Sequence, residues 1–69
     1  MSFLQKYVGG PLIVTGNKVR IQPKLGGGYQ GLTANEEIQS ASWSGDDILV
    51  ILKSGKALIY TTNAMYRYA

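Results

Sequence analysis

The sequence predicts an all-β domain, built as a small barrel or a two-layer antiparallel sheet of about five strands, with room for one short N-terminal helix. Three observations lead to this prediction. Short runs alternate apolar and polar side chains, as strands with one buried face do. Turn-forming residues separate these runs at short intervals. Of the 69 residues 45% are hydrophobic and 16% are charged, a composition typical of one folded domain over residues 1–69.

The N-terminal segment is the part of the chain with helical spacing. The apolar residues within 3–8 suit about two turns of helix, with Ser2 as the N-cap and Gly9 as the C-terminal stop. Tyr7 and Val8 also fit the start of an edge strand. A helix this short is unstable alone, so it would have to dock on the sheet.

A β-hairpin is predicted next. Leu12–Thr15 and Lys18–Gln22 are strand-like runs, and the Gly-Asn pair between them suits a two-residue turn. Alternation in the second run predicts an inward apolar face and an outward basic face that carries Lys18 and Arg20. Pro23 has no N–H to donate, and it therefore ends this strand.

Residues 24–35 are predicted to form one long loop, because they show neither period and contain four glycines. Loops of this length in a compact domain are often functional. Lys24, Gly27 and Gly28 are candidate ligand-binding residues, since exposed backbone amides beside a lysine bind anions. The segment lacks the Gly-Lys-Ser/Thr pattern of a phosphate loop, so a merely flexible loop is the alternative.

From residue 38 onward the sequence predicts an antiparallel meander. Turn signals rich in Gly, Ser, Asp and Lys separate four expected strands, at residues 38–44, 48–52, 57–62 and 65–68. Residues 48–52 are apolar on both faces, which predicts a central strand covered on both sides. A chain this short has too few elements to cover both faces. We therefore expect a homo-oligomer that covers the second face or pairs an open edge.

Residues 38–62 resemble the middle of one blade of a WD40-type propeller. They share a strand with the sequence Ser-Ala-Ser-Trp-Ser, a Gly-Asp turn, a hydrophobic strand, a Ser-Gly-Lys turn and an aromatic-ended strand. The Gly-His pair of that family is absent, and Tyr60 stands where its Trp-Asp dipeptide begins. A single blade does not close a propeller. The resemblance therefore implies a three-strand meander and carries over no functional residue.

The composition narrows the possible chemistry. The chain has no cysteine and no histidine, which excludes disulfides, thiolate chemistry, the usual zinc sites and an imidazole base. We therefore expect no enzymatic activity and no cofactor. The acids are Glu36, Glu37, Asp46 and Asp47, whose spacing matches no calcium-binding motif. They are interpreted as solvated turn residues rather than metal ligands.

Binding is the function that the sequence predicts. A net charge of +3 favours an anionic partner. The first hypothesis is a non-enzymatic module that engages a protein or a small anionic ligand through the glycine-rich loop and the C-terminal strand. The alternative is a nucleic-acid-binding small barrel, SH3-like or OB-like, in which cations follow phosphates and rings stack on bases. The candidate binding residues are Lys18, Arg20, Lys24, Gly27, Gly28, Tyr29, Tyr66, Arg67 and Tyr68.

The sequence also predicts a cytoplasmic protein without membrane association. Its longest strongly apolar run, residues 48–52, is far shorter than the ~20 residues of a membrane helix. The N-terminal residues contain no sustained apolar core of a signal peptide. The absence of cysteine agrees with a reducing compartment.

Overall fold

Seven strands in two antiparallel sheets make up the computed structural model, which describes residues 3–62 and 65–69. Sheet 1 has the order β1 (Leu12–Thr15), β2 (Lys18–Ile21) and β3 (Gln30–Thr33). Sheet 2 has the order β4 (Ile38–Ser44), β5 (Asp47–Leu52), β6 (Ala57–Tyr60) and β7 (Tyr66–Tyr68). Within the described residues no helix is long and apolar enough to cross a membrane.

The all-β class is confirmed, and the architecture is two separate sheets rather than a closed barrel. The expected number of about five strands is too low, since seven are present in the described residues. Closure fails because β3 and β4, although consecutive in the chain, belong to different sheets and do not pair. Each sheet therefore keeps two edge strands.

Residues 5–9 form turns and residues 3–4 have no regular structure, so the short N-terminal helix and the alternative edge strand are both wrong. The Tyr7 N–H donates to the Leu4 carbonyl at 2.9 Å, but the Gly-Gly-Pro segment that follows prevents a helical ladder from continuing. Phe3 and Tyr7 are nevertheless buried. Ser2, the expected N-cap, lies outside the described residues.

The hairpin of β1 and β2 is confirmed. Thr15 pairs with Lys18 across the turn. Gly16 has a φ of +60°, whereas no non-glycine residue in the described chain has a positive φ, a combination that fits a type II′ turn. The apolar side chains of β2 are buried and its basic ones, Lys18 and Arg20, are exposed, as the alternation predicts.

The predicted loop over residues 24–35 is wrong in its second half, where Gln30–Thr33 forms β3. This strand pairs antiparallel with β2 and places Gly31 opposite Arg20. Glycine weakens the local strand signal, and Leu32 is the one fully buried side chain of the strand. Pairing with β2 therefore decides the structure where local propensity does not.

The predicted meander is confirmed as sheet 2, in which β5 is central between β4 and β6. Ile48 and Val50 on one face of β5 are 0% exposed. Leu49 and Ile51 point to the opposite face and are half-buried. The single chain thus covers one face of β5 completely and the other face only in part. The sequence predicts a strand that is covered on both faces.

One hydrophobic core fills the space between the two sheets and contains side chains from both. At one side β1 packs on β4. At the other side the Tyr60 hydroxyl of β6 donates to the Thr33 carbonyl of β3 at 3.3 Å. β1 of sheet 1 therefore lies at β4, Thr33 of β3 lies within reach of β6, and the core-facing tyrosines of β7 remain exposed.

Trp43 joins the N-terminal segment to sheet 2. Its Nε1 donates to the Gly10 carbonyl at 2.8 Å. Its ring meets that of Phe3 edge to face, with the centroids 5.7 Å apart. Trp43 packs against the core, so it is a structural residue and not an exposed stacking platform.

Candidate anion-binding face

The outer face of sheet 1, which points away from the core, carries a shallow depression. Arg20 at its centre lies opposite Ile13 of β1 on one side and opposite Gly31 of β3 on the other. Because Gly31 has no side chain, the face is open at that position. The depression has a volume of about 290 Å³ and is lined by Ile13, Thr15, Lys18, Val19, Arg20, Tyr29 and Gly31.

Gly31 opens the depression without a structural need for glycine. Its φ lies outside the left-handed region, and a Cβ built on it would meet no atom within 4 Å. Glycine inside a strand is nevertheless destabilising by roughly 0.5–1 kcal/mol relative to alanine. A strand glycine often marks a position where a ligand or another backbone approaches closely, and this interpretation fits Gly31.

Two cations beside the depression, Lys18 and Arg20, form no ion pair within the described residues. The Arg20 guanidinium carbon lies 4.5 Å from the centroid of the Tyr29 ring, a cation–π contact that holds the side chain over the face. Lys18 precedes Arg20 by two residues and shares its face. Within the described residues the ion pairs use Glu36 and Glu37 with other lysines. Lys18 and Arg20 are therefore available to an external anion.

The candidate loop residues do not join this face. Lys24, Gly27 and Gly28 are absent from the lining of the depression. The Lys24 N–H donates to the Lys6 carbonyl at 3.0 Å, which ties this end of the connection to the N-terminal segment. Gly27 has a φ of +106°, a conformation that favours glycine whatever its function. Ligand binding by these three residues stays a prediction.

The candidate residues of β7 form a separate cluster on sheet 2. Tyr66 pairs with Tyr60 and Tyr68 with Leu58, so both tyrosines share the core-facing side of that sheet. They are still 40% and 66% exposed, respectively. The ring centroids of Tyr60 and Tyr66 are 5.0 Å apart, and those of Tyr66 and Tyr68 are 6.1 Å apart. Arg67 points to the opposite side of the sheet.

Glu36 and Glu37 form ion pairs with lysines of the turn between β5 and β6. Glu37 lies 3.0 Å from Lys53 Nζ, and Glu36 lies 3.4 Å from Lys56 Nζ. Hydrogen bonds from Ser54 and Lys56 lower the pKa of the Glu36 carboxyl. In residues 3–62 and 65–69 no group of three or more metal-ligating side chains comes together.

Ile13, Thr15 and Gly31 line the face but were not among the candidates from the sequence. Ile13 is 44% exposed, although it belongs to an apolar run that suggests burial. Thr15 and Ile13 alternate with partly buried neighbours. The register of the predicted hairpin therefore already indicated that both side chains face outward. Gly31 gave no such signal, because its position opposite Arg20 depends on the unforeseen strand β3.

Protein-family models, curated proteins and solved structures give no match to this chain. No relative therefore supplies a function or a set of site residues.

Proposed function

We propose that the protein is a non-enzymatic binding module that holds a small anionic ligand on the outer face of sheet 1. The observation that carries this proposal is that Lys18, Arg20 and Tyr29 line one depression, which is open at Gly31. The cations attract the anionic group. The open space at Gly31, beside the exposed side chain of Ile13, accepts a flat or apolar part of the same ligand.

The contact between Arg20 and Tyr29 supports recognition of a carboxylate or phosphate. A guanidinium presents its N–H donors in a planar fork that matches the oxygens of either group. Because the Tyr29 ring already restrains this side chain, less conformational entropy is lost when the anion binds. A restrained arginine therefore contributes more to affinity than a freely rotating one.

Binding without catalysis agrees with the chemistry of the face. The residues that line the depression include no carboxylate and no imidazole, which are the common proton-transfer groups of enzymes. The nearest hydroxyl, that of Thr15, has no base beside it among these lining residues.

A nucleic-acid strand is the second candidate ligand, because a cation stacked on a ring beside another cation is also a unit of single-strand recognition. Such proteins usually stack successive bases on several rings. Tyr66 and Tyr68 belong to β7 of the other sheet, so Tyr29 is the one tyrosine that lines the basic face. This separation favours a small ligand over a strand.

We also propose that the protein acts as a homo-oligomer that covers the outer face of sheet 2. Leu49 pairs with Ile59 on that face, and Ile51 lies beside them. These side chains are half-buried in the single chain, and association would remove the rest of their apolar surface from water. Sedimentation equilibrium should give a small multiple of 7.5 kDa. A monomer at high micromolar concentration would exclude the oligomer.

The anion site is tested with adenosine monophosphate, a probe with one phosphate and one flat base. Isothermal titration compares the wild type with Arg20→Gln and Arg67→Gln, the latter being the same change at an exposed arginine of sheet 2. We expect the dissociation constant to rise about tenfold for Arg20→Gln, a loss of about 1.4 kcal/mol, and to stay constant for Arg67→Gln. Equal losses in the two variants, or no binding by the wild type, would reject the site.

A short oligothymidylate separates the two candidate ligands. A strand-binding protein should bind it far more tightly than the mononucleotide, with an affinity that falls linearly as the logarithm of salt concentration rises. The proposed small-ligand module should gain little from the longer probe. A large gain with a steep salt dependence would favour the nucleic-acid function.

A further inference from the structure

Sheet 1 has three strands and sheet 2 has four, and this difference leaves an open position in the fold. β1 packs on β4, and β3 meets sheet 2 through the hydrogen bond from the Tyr60 hydroxyl of β6 to the Thr33 carbonyl. The next position in sheet 1, beside β3 and above β7, holds no strand of the described chain. An extended segment placed there would give the two sheets equal width.

The edge of β3 that borders this position presents unused backbone groups. Hydrogen-bonding direction alternates along an antiparallel strand. Thr15 and Lys18 flank the two-residue hairpin turn and form a hydrogen-bonded pair, so the backbone groups of Lys18 point to β1 and those of Val19 point to Leu32 of β3. Thr33 and Gly31 therefore direct their backbone groups away from β2, while Leu32 and Gln30 direct theirs toward it. In the described residues the N–H groups of Gly31 and Thr33 have no hydrogen-bond acceptor.

Tyr66 and Tyr68 form the floor of the open position, and we call these two side chains the tyrosine floor. They point to the core-facing side of sheet 2 but are 40% and 66% exposed, which indicates that sheet 1 does not cover them. The contacts from Tyr60 to Tyr66 and from Tyr66 to Tyr68 make an aromatic surface that continues outward from the core. Tyrosine is enriched in protein interfaces, where it buries a large ring and keeps a polar hydroxyl.

We infer that this position docks an extended segment of another protein, which adds to sheet 1 as a strand beside β3. Successive side chains of an added strand point to opposite faces. Those that point inward meet the tyrosine floor and are apolar. Those that point outward stand beside Gly31 and Thr33, next to Arg20 and Lys18, and are acidic. Alternation of apolar and acidic residues therefore defines the partner segment.

The distribution of charge favours a foreign segment over a second copy of this chain. The acids of this chain lie in adjacent pairs, at positions 36–37 and 46–47, and not in the alternating pattern that the site requires. Glu36 and Glu37 are also engaged with lysines of their own chain. Because each copy carries a net charge of +3, a second copy would bring an excess of cations to this edge rather than the acidic side chains that the site requires.

The first test uses the synthetic peptide acetyl-Glu-Val-Glu-Tyr-Glu-Val-amide and a control peptide of the same composition with its three glutamates adjacent. Isothermal titration should show binding of the alternating peptide and an affinity for the control that is lower by about tenfold or more. On binding, the Gly31 and Thr33 amide protons should exchange more slowly with solvent, because the added strand gives them acceptors. Equal affinities for the two peptides, or unchanged exchange of both amides, would overturn strand addition.

Variants of the protein test the two halves of the site separately. Gly31→Pro removes an edge N–H without removing a bond to β2, and it should bind the peptide about tenfold more weakly than Gly31→Ala, which keeps that N–H. Tyr68→Ser should also weaken binding, whereas Leu25→Ser, at a fully exposed loop side chain, should not. Equal binding by the Tyr68 and Leu25 variants would exclude the tyrosine floor. A dimer of the protein alone that protects the same amides would replace the foreign segment with a second copy.

Strand addition and the anion site share Lys18 and Arg20, but the two can fail separately. Protection of the Gly31 and Thr33 amides depends on the β3 edge and the tyrosine floor, whereas adenosine monophosphate needs only the depression on the outer face. A protein that binds the peptide and protects the Gly31 and Thr33 amides, but does not bind the mononucleotide, would support strand addition and reject the anion site. The reverse result would reject strand addition and support the anion site.

Discussion

β5 carries two isoleucines on opposite faces, which allow a matched test of where the core lies. Ile48 is 0% exposed and belongs to the core between the sheets. Ile51 points to the outer face of sheet 2 and is half-buried. Both residues are flanked by β4 and β6, so Ile48→Ala and Ile51→Ala change β-propensity to a similar extent. The difference between the two variants therefore reports burial.

The expected losses of stability differ severalfold. Replacing a fully buried isoleucine with alanine removes three buried carbons, worth about 2.4 kcal/mol at about 0.8 kcal/mol each. The cavity left behind raises the typical cost to about 2–5 kcal/mol. A domain of this size has a total stability of roughly 3–10 kcal/mol, so Ile48→Ala should leave the fold marginal. Ile51→Ala, on the half-buried face, should cost about 1 kcal/mol or less.

Urea unfolding followed by the fluorescence of Trp43, the single tryptophan, measures both losses. The midpoint should fall sharply for Ile48→Ala and slightly for Ile51→Ala, with the slope of free energy against urea unchanged. The measurement is made on dilute protein, so that the proposed oligomer does not contribute to the free energy of unfolding. A loss of stability for Ile51→Ala that appears only in concentrated protein would indicate that oligomer. Equal losses in dilute protein would refute the assignment of the two faces.

Three further outcomes are expected. Gly31→Val should leave the free energy of unfolding unchanged or slightly raised, because the new side chain enters open space on a strand, and it should abolish binding of adenosine monophosphate in the same titration. Val50→Asp should prevent folding, since an unpaired carboxylate at a site with 0% exposure costs several kcal/mol; soluble protein with native circular dichroism would contradict this. Glu36 has a lowered pKa in the folded state, caused by hydrogen bonds from the neighbouring serine and lysine, so its stabilising contribution is present above its ordinary pKa of 4.5 and disappears as the pH falls through the lowered value. Glu36→Gln should therefore make acid unfolding less steep in that range, and identical unfolding curves for variant and wild type would exclude the contribution.

The hairpin and sheet 2 could be predicted because their signals are local. β4 occupies the predicted residues Ile38–Ser44, where serines alternate with larger apolar side chains. The turn before β5 contains Gly45, whose φ of +65° is the conformation expected of glycine in such a turn. Two-residue periodicity and turn chemistry act over a few residues, so a single sequence is enough to reveal them.

β3 and the N-terminal turns could not be predicted because contacts distant in the sequence decide them. Gln30–Thr33 becomes a strand through pairing with β2, despite a glycine and one buried side chain. Phe3 and Tyr7 have helical spacing, but turns bring the same two rings into the core without a helix. The spacing therefore identified the buried residues and gave the wrong backbone conformation.

The candidate site shows the same limit. Alternation in β2 correctly placed Lys18 and Arg20 on an outward face. The sequence placed Tyr29 in the long loop among the candidate residues, but it did not predict the contact of its ring with Arg20. The separation of Tyr66 from these residues depends on how the two sheets stack, which the sequence of a single strand does not determine.

Amide chemical-shift mapping of the isotope-labelled protein with adenosine monophosphate tests the proposed anion site most directly. The outer face of sheet 1 predicts saturable shifts at Lys18, Arg20 and Gly31, which lie side by side in β2 and β3. Arg67, in β7 of sheet 2, should not shift. Shifts concentrated in sheet 2, or shifts that do not saturate at any residue of β2 and β3, would contradict the proposed binding face.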